Sequence, residues 1–220
     1  MPGSKDESLL DATFGRFWEA LVLYWRGKQV AVLGAPGVGK SHFIKFLTSG
    51  SIPTEYKQTV APEKAAGRRL QLMDLDLKIK NMLDVGGGTE ARGQWQKQVA
   101  RADFVFYLLR VDQIISGDKV VERRVLSDAQ HIKDWLKGRK PRPVLCVVGT
   151  HCDNDPSFAG QFDNCHGDYV RSFLYRRVVH RLLMECGGLG QAKLVIGSMK
   201  TVHSTEELVF DVFRQVMAAE

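Results

Sequence analysis

The stretch GAPGVGKS, Gly34–Ser41, matches the P-loop pattern G-x-x-x-x-G-K-[ST]. Glycines permit a tight loop whose backbone N–H groups point inward around an anion, and the helix that follows adds the positive end of its dipole. We expect Lys40 to reach the outer phosphates of a nucleotide and the hydroxyl of Ser41 to bind Mg²⁺. Apolar residues at 30–33 predict a buried strand before the loop, and helically spaced apolar residues after it predict a helix that ends at Gly50. The sequence therefore predicts a strand, a phosphate-binding loop and a helix in succession.

The composition of the chain is that of a globular protein with a mild positive charge. Its 220 residues can bury one full core, and its formal net charge is +6. We find no apolar run of membrane-spanning length, no signal-peptide pattern and no disulfide framework among the four cysteines, so we expect a cytoplasmic location. The positive charge suits an anionic ligand such as a nucleotide, and no nucleic-acid recognition module is evident.

Residues 1–27 precede the first predicted strand and form an extension to the domain predicted over 28–220. Between Leu9 and Trp25, apolar residues recur at spacings of three and four, which predicts an amphipathic helix. This helix either packs along the domain or uses its aromatic residues to bind a partner or a membrane surface. Both interpretations stay open, and the second would add a peripheral membrane contact to the cytoplasmic location.

Beyond the phosphate loop, predicted strands alternate with predicted helices, which indicates a doubly wound, mostly parallel α/β sheet flanked by helices. The continuous apolar run Phe104–Val111 predicts a central strand buried on both faces. A polar stretch at 51–67 is predicted to be a loop. The other predicted strands are 68–73, 77–85, 144–149 and 194–196, and the predicted helices are 94–102, 120–136, 169–186 and 204–219, the last with Ser204 or Thr205 as its N-cap. Because ligands bind beyond the carboxyl ends of such strands, we look for chemistry there.

One candidate segment, Asp84-Val85-Gly86-Gly87, closes a predicted strand. The carboxylate of Asp84 can hold the Mg²⁺ shell, and Gly87 can bring its backbone N–H against a terminal phosphate because it has no Cβ. Thr59, in the predicted loop, can supply a second hydroxyl to Mg²⁺ when a third phosphate is present. Read alone, each of these could equally be an ordinary turn or loop residue.

A second candidate segment, Thr150-His151-Cys152-Asp153, follows the strand 144–149. A carboxylate at Asp153 can accept hydrogen bonds from N1–H and the exocyclic amine of guanine. Adenine offers neither donor in that arrangement, and an unpaired buried carboxylate costs a few kcal/mol, so the segment favours guanine. The stretch 197–200, after the last strand, can close over the far side of the base, although alone it carries almost no information.

Taken together, these five segments in this order resemble the Ras superfamily of small GTPases over residues 28–217. The DVGG form and the preceding helix are similar to the Arf-like branch, the Thr-His-x-Asp form looks like Roc-type domains, and the choice among Arf-like, Rab-like and Roc-like branches stays open. The resemblance implies that Lys40, Thr59 and Gly87 act on the terminal phosphate and that Ser41, Thr59 and Asp84 hold Mg²⁺. It also implies that the nucleotide is bound by Gly34, Ala35, Pro36, Gly37, Val38, Gly39, Lys40, Ser41, His42, Thr150, His151, Asp153, Ser198, Met199 and Lys200.

Three departures from the family pattern affect the expected activity. His151 replaces a lysine whose stem packs on the base, and Pro36 stands where many members have glycine. Gly88 stands where many members carry the glutamine that orients the attacking water, and glycine has no side chain to do this. We therefore expect slow hydrolysis, or a substitute group from a partner or from the neighbours Thr89, Glu90, Arg92 and Gln94.

The function that the resemblance implies is a Mg²⁺-dependent molecular switch that binds GTP and GDP, hydrolyses GTP slowly or with a partner's help, and meets effectors or regulators through its switch regions. One alternative is a nucleotide-binding interaction subunit with little or no turnover. Another is an ATP-using P-loop enzyme such as a small kinase, for which no second substrate site can be assigned.

Overall fold

A computed structural model describes residues 28–49, 63–65, 69–72, 75–78, 82–84, 87–160 and 165–218. The N-terminal extension and Thr59 lie outside these residues. The strands are β1 Val30–Gly34, β2 Glu63–Ala65, β3 Arg69–Leu72, β4 Leu75–Lys78, β5 Met82–Asp84, β6 Phe104–Arg110, β7 Val144–Thr150 and β8 Ala192–Ile196. The helices are α1 Lys40–Ser49, α2 Arg92–Val99, α3 Val111–Ile115, α4 Lys119–Leu136, α5 His166–Leu174, α6 Arg177–Glu185 and α7 Val202–Met217.

The centre of the fold is a four-stranded parallel sheet in the order β1-β6-β7-β8. Its strands are the apolar runs of the sequence, and β6 is buried along its whole length except at Arg110. Alternate residues of β6 point to opposite faces, so Phe106 belongs to one core and Tyr107 to the other. Helices α1 and α7 cover the first face, whereas α2, α4 and α6 cover the second. The predicted doubly wound α/β architecture is confirmed.

Three phenylalanines join the elements on the first face. The ring of Phe106 meets Phe43 of α1 edge-on at 5.8 Å and Phe213 of α7 at 6.3 Å. Edge-to-face pairs of this kind add stabilisation beyond the area that they bury. They hold α1, which begins at the phosphate loop, against the middle of the sheet.

The segment between α1 and α2 departs from the predicted pattern. The predicted strand 77–85 is two strands, because β4 ends at Lys78 and β5 begins at Met82. β3 and β4 form an antiparallel pair with Arg69 opposite Lys78, and β5 pairs antiparallel with β2, which lies within the stretch predicted to be a loop. The alternation of apolar and polar residues continues to Lys80 and fails at Asn81, a polar residue where an apolar one is due. β5 lies beside β1 and α1, which brings the end of this segment to the phosphate loop.

Helix boundaries also differ from the sequence pattern. The predicted helix 169–186 is divided into α5 and α6, since Arg176 has an extended backbone, with φ −61° and ψ 127°. Helix α3 begins at Val111. The strand was predicted to include Val111 because the apolar run continues to that residue. The N-cap of α7 is Thr201 and not Ser204 or Thr205, as Thr201 and Ser204 exchange the hydrogen bonds of a capping box. Val202, in the first turn, is 48% exposed, so apolar spacing does not mark where this helix starts. Across the described ranges, we find no helix with the length and apolarity needed to cross a membrane.

Candidate functional site

The phosphate loop runs from the end of β1 to the first turn of α1. The side chain of Lys40 is 7% exposed, and its Nζ donates a hydrogen bond to the Ala35 carbonyl at 2.8 Å. This contact folds the ammonium group back over the loop. With the N-terminus of α1 aimed at the same place, the loop presents a concave, positively charged surface suited to phosphate.

Gly39 joins the phosphate loop to two segments that are distant in sequence. Its φ of +90° lies in the left-handed region, and a Cβ built on it would lie 2.3 Å from Cε of Met199 and 3.9 Å from Cε1 of His151. Only glycine permits this approach without displacing Met199. The structure therefore brings the segment after β7 and the segment after β8 against the loop, as their positions at strand ends predict.

Thr150 is the buried link between these segments. Its hydroxyl lies 3.0 Å from the Val38 carbonyl, 3.1 Å from the Leu109 carbonyl and 2.9 Å from Nδ1 of His151. A hydroxyl has one proton, so it donates to one carbonyl at a time and can accept from Nδ1–H of the imidazole. Burial, followed by the charge of Arg110, lowers the pKa of His151, which favours that neutral form. His151 itself has a left-handed backbone, with φ 56°.

The residues predicted to recognise the base are also joined. The Ser198 hydroxyl donates to Oδ1 of Asp153 at 2.8 Å and accepts the Lys200 N–H at 3.1 Å. Asp153 is exposed, so it also remains accessible to solvent. The two base-recognition segments thus form one hydrogen-bonded unit at the carboxyl ends of β7 and β8.

A cluster beside this unit was not predicted from the sequence. Arg110, at the end of β6, donates to both carboxylate oxygens of Asp112, and Asn154 donates to the same carboxylate at 2.9 Å. Burial raises the pKa of Asp112, but the hydrogen bonds from Arg110 and Asn154 outweigh it and lower the pKa to about 2. The cluster fixes the loop that carries Asp153, because Asn154 is the next residue.

Gly87 packs directly on the phosphate loop. A Cβ built on it would lie 2.3 Å from both the carbonyl carbon of Ala35 and the nitrogen of Pro36. These are backbone atoms that cannot move aside, so a side chain at this position would push the segment away from the loop. Gly87 therefore lies directly against the loop that is predicted to hold the terminal phosphate.

A network of buried charges lies behind Gly87. The Nη2 of Arg124 donates to the Gly87 carbonyl at 2.9 Å, and its Nε lies 2.8 Å from Oδ2 of Asp128. Arg92 and the hydroxyl of Tyr107 also donate to Asp128, at 3.0 and 3.1 Å. Sequence reasoning missed Arg124 and Asp128 because they lie inside a helix and match no motif.

The side chains proposed to replace the missing glutamine differ in how close they lie to Gly88. Oε1 of Glu90 lies 2.1 Å from where a Cβ on Gly88 would stand, so its carboxylate fills the space in which a side chain at that position would begin. Arg92 is bound to Ser127 and Asp128, and Gln94 is exposed to solvent. The side chain of Thr89 is outside the described part of the chain. Among the described candidates, Glu90 is the one that the structure brings against Gly88.

The residues predicted to hold Mg²⁺ supply oxygen atoms, which this ion prefers. Ser41 is in the first turn of α1, and Asp84 ends β5 beside β1, so both elements converge on the phosphate loop. The Asp84 side chain and Thr59 lie outside the described parts of the chain. Within the described ranges, no three His, Cys, Asp or Glu residues form a cation site.

Comparison with known proteins agrees with this geometry. The sequence model of the 50S ribosome-binding GTPase family matches residues 29–149. Among solved structures, the chain is similar to the Arl6 BBS3 small GTPase from Trypanosoma brucei with the bound nucleotide analogue GppNp. The identity is 14%, the match covers 86% of this chain and 98% of that chain, and the TM-score is 0.50. At this identity the likeness concerns the fold. A search of curated proteins finds no match.

Proposed function

The chain belongs to the 50S ribosome-binding GTPase family, and on that premise we propose that this GTP-binding domain is a Mg²⁺-dependent switch with slow or partner-assisted hydrolysis. The observation that carries the proposal is the convergence of Gly87, Thr150 and Met199 on one phosphate loop. These residues come from three separate strand ends. A guanine nucleotide is the ligand whose phosphates and base would lie between these segments and the phosphate loop.

In the proposed bound state, each group has one task. Lys40 and the N-terminus of α1 hold the outer phosphates, and Asp153 accepts hydrogen bonds from guanine while Ser198 keeps its carboxylate oriented. The neutral imidazole of His151 lies where the family has a lysine stem and offers a flat face to the base. Ser41, Asp84 and Thr59 would hold Mg²⁺, which would supply positive charge to the phosphates.

The switching element in this proposal is the segment that begins at Asp84. The Gly87 N–H donates to the γ-phosphate, which orders the segment, and loss of the γ-phosphate releases it. An effector or regulator would read this change, with the region around Thr59 as the second switch. A contact of the N-terminal extension with a partner or a membrane, in an otherwise cytoplasmic protein, remains part of the proposal.

Slow turnover follows from Gly88 and its neighbour. Glycine cannot orient the attacking water, and the carboxylate of Glu90 brings a negative charge toward a site where negative charge develops in the transition state. Glu90 therefore favours the second candidate function, a nucleotide-binding interaction subunit with little or no turnover. In that case the bound nucleotide would act as a structural and signalling ligand.

Two measurements test the proposal on purified, EDTA-stripped protein. Calorimetry with GDP, a GTP analogue and ADP, each with and without Mg²⁺, is expected to give guanine binding at least ~100-fold tighter than adenine binding, since an unpaired carboxylate opposes adenine. Asp153→Ala should lose this preference, whereas the matched control Asp168→Ala, at a position with a side chain 79% exposed, should keep it. Equal affinity for GDP and ADP, or no binding of either, would overturn the proposal.

Single-turnover hydrolysis then separates the two candidate functions. A slow rate that a cell-extract fraction or purified partner accelerates supports the switch. A rate indistinguishable from that of GTP in buffer, with and without such additions, supports the subunit that binds without turnover. Brisk hydrolysis by the isolated chain would contradict both.

A further inference from the structure

The carboxylate of Asp128 is the centre of the buried network behind Gly87. Its side chain is 0% exposed and accepts hydrogen bonds from Arg124 of α4, Arg92 of α2 and Tyr107 of β6. A buried carboxylate is tolerated only when charged or polar partners surround it, and here two arginines and a phenol do so. The network thus joins one strand and two helices on the face of the sheet opposite α1.

Arg124 differs from the other donors because its second target is the backbone of Gly87. Its Nε contacts Oδ1 and Oδ2 of Asp128 at 2.9 and 2.8 Å, and its Nη2 donates to the Gly87 carbonyl at 2.9 Å. The guanidinium group is a planar fork with fixed donor directions, so a carboxylate that orients one edge also aims the other. The same group lies over the ring of Trp95, 5.6 Å from its centroid, which limits its movement on a third side.

Gly87 is therefore held from two directions. Its Cα rests on the peptide between Ala35 and Pro36, where a Cβ would come within 2.3 Å, and its carbonyl is bound by Arg124. The two contacts fix how closely Gly87 lies against the phosphate loop. That closeness decides whether its N–H can reach a γ-phosphate on the loop.

We propose that Arg124, aimed by Asp128, is a positioning residue that holds Gly87 against the phosphate loop, within reach of a γ-phosphate, and so sets the preference of this chain for GTP over GDP. This inference rests on the proposed function, since it assumes that a guanine nucleotide lies on the phosphate loop. GDP has no γ-phosphate, so its binding does not draw on this contact. Helix α4 thereby takes part in nucleotide discrimination through Gly87.

Arg124→Lys is the decisive variant. Lysine keeps a positive charge beside Asp128 but cannot bind the carboxylate and the Gly87 carbonyl with one fork. We expect the affinity for a non-hydrolysable GTP analogue to fall about five- to tenfold while GDP affinity stays within about twofold, because one hydrogen bond to a charged group has been removed. Arg123→Lys is the matched control, since Arg123 neighbours it on α4, is exposed and donates only to the Lys119 carbonyl among the contacts described. It should change neither affinity.

Two further variants separate positioning from simple structural support. Tyr107→Phe removes a donor from Asp128 without removing the bond from Arg124 to Gly87, so it should lower stability but leave the ratio of GTP to GDP affinity unchanged. Asp128→Asn should lower that ratio, since the amide no longer aims the guanidinium group as a carboxylate does. Should Arg124→Lys fail to fold, this variant provides the test.

Trp95 gives an independent optical readout. Exchange of GDP for the GTP analogue should change tryptophan fluorescence in the parent protein, less so in Arg124→Lys, and the Trp95→Phe variant should identify the source of the signal. Equal losses of GTP and GDP affinity in Arg124→Lys, or no loss of either, would overturn the inference. Absence of guanine binding in the parent protein would instead overturn the proposed function.

Discussion

Replacement of Thr150 by valine tests whether the base-recognition segment controls the phosphate loop. Valine has nearly the shape of threonine, so the packing of this fully buried residue is preserved while its hydroxyl is lost. The carbonyls of Val38 and Leu109 lose a donor at 3.0 and 3.1 Å, and Nδ1 of His151 loses its partner at 2.9 Å.

The expected cost has two parts. Leaving buried polar groups without a partner should lower the free energy of unfolding by about 1–3 kcal/mol. Because one of these groups belongs to the phosphate loop, we also expect GDP to dissociate about tenfold faster, which corresponds to a loss of about 1.4 kcal/mol if the transition state for release gains nothing. Thr150→Ser, which keeps the hydroxyl and loses a methyl group, should lower stability but keep slow dissociation.

Urea unfolding followed by circular dichroism measures the first effect, and release of a fluorescent GDP analogue chased with excess GDP measures the second. The reasoning is refuted if Thr150→Val is destabilised yet releases GDP at the parental rate, since the hydroxyl would then support the fold alone. It is also refuted if Thr150→Ser accelerates release as much as valine does.

Three other predictions follow from the site. Asp153→Ala should weaken GDP binding by about 3 kcal/mol or more, because two hydrogen bonds from guanine to a carboxylate are lost. Calorimetry measures this loss, and a clearly smaller one would be evidence against base recognition by Asp153. The free energy of unfolding should fall as the pH decreases from about 7 to about 5, because burial lowers the pKa of His151 in the folded chain. Below about pH 6.5 the unfolded chain therefore binds a proton at this residue more readily than the folded chain does. His151→Gln should flatten that slope in urea titrations, and an unchanged slope would assign it to other groups. Gly88→Gln alone should not restore fast hydrolysis, because the new side chain meets the carboxylate of Glu90, whereas Gly88→Gln combined with Glu90→Ala should raise the single-turnover rate. Equal rates for the single and double variants would contradict this.

The central sheet and the phosphate loop could be predicted because their determinants are local. The run from Phe104 can satisfy its burial only inside a sheet, and the P-loop pattern requires glycines at fixed places along the chain. The position of residues 197–200 at a strand end was predicted, since parallel strands end at one edge, but the contact of Met199 with Gly39 was not.

The remaining features depend on partners far apart in sequence. Arg124 and Asp128 read as an ordinary ion pair on a helix, and nothing in their spacing reveals that Gly87, Arg92 and Tyr107 converge on them. Glu90 likewise gives no sign in the sequence that its carboxylate lies at Gly88. The start of helix α7 was predicted at Ser204 and lies at Val202, because Val202 is exposed and so does not follow the apolar spacing of the helix.

The edge-to-face contacts of Phe106 with Phe43 and Phe213 link helix α7 to helix α1, which begins at the phosphate loop. Phe43 lies three residues after Lys40. A change that weakens the packing of Phe213 on Phe106 is therefore expected to weaken the packing of the helical turn that carries Lys40. A shortened or tagged version that disturbs the closing helix would therefore be misleading in nucleotide assays. Fusions are better attached after residue 218, where they leave the contacts of Phe213 intact.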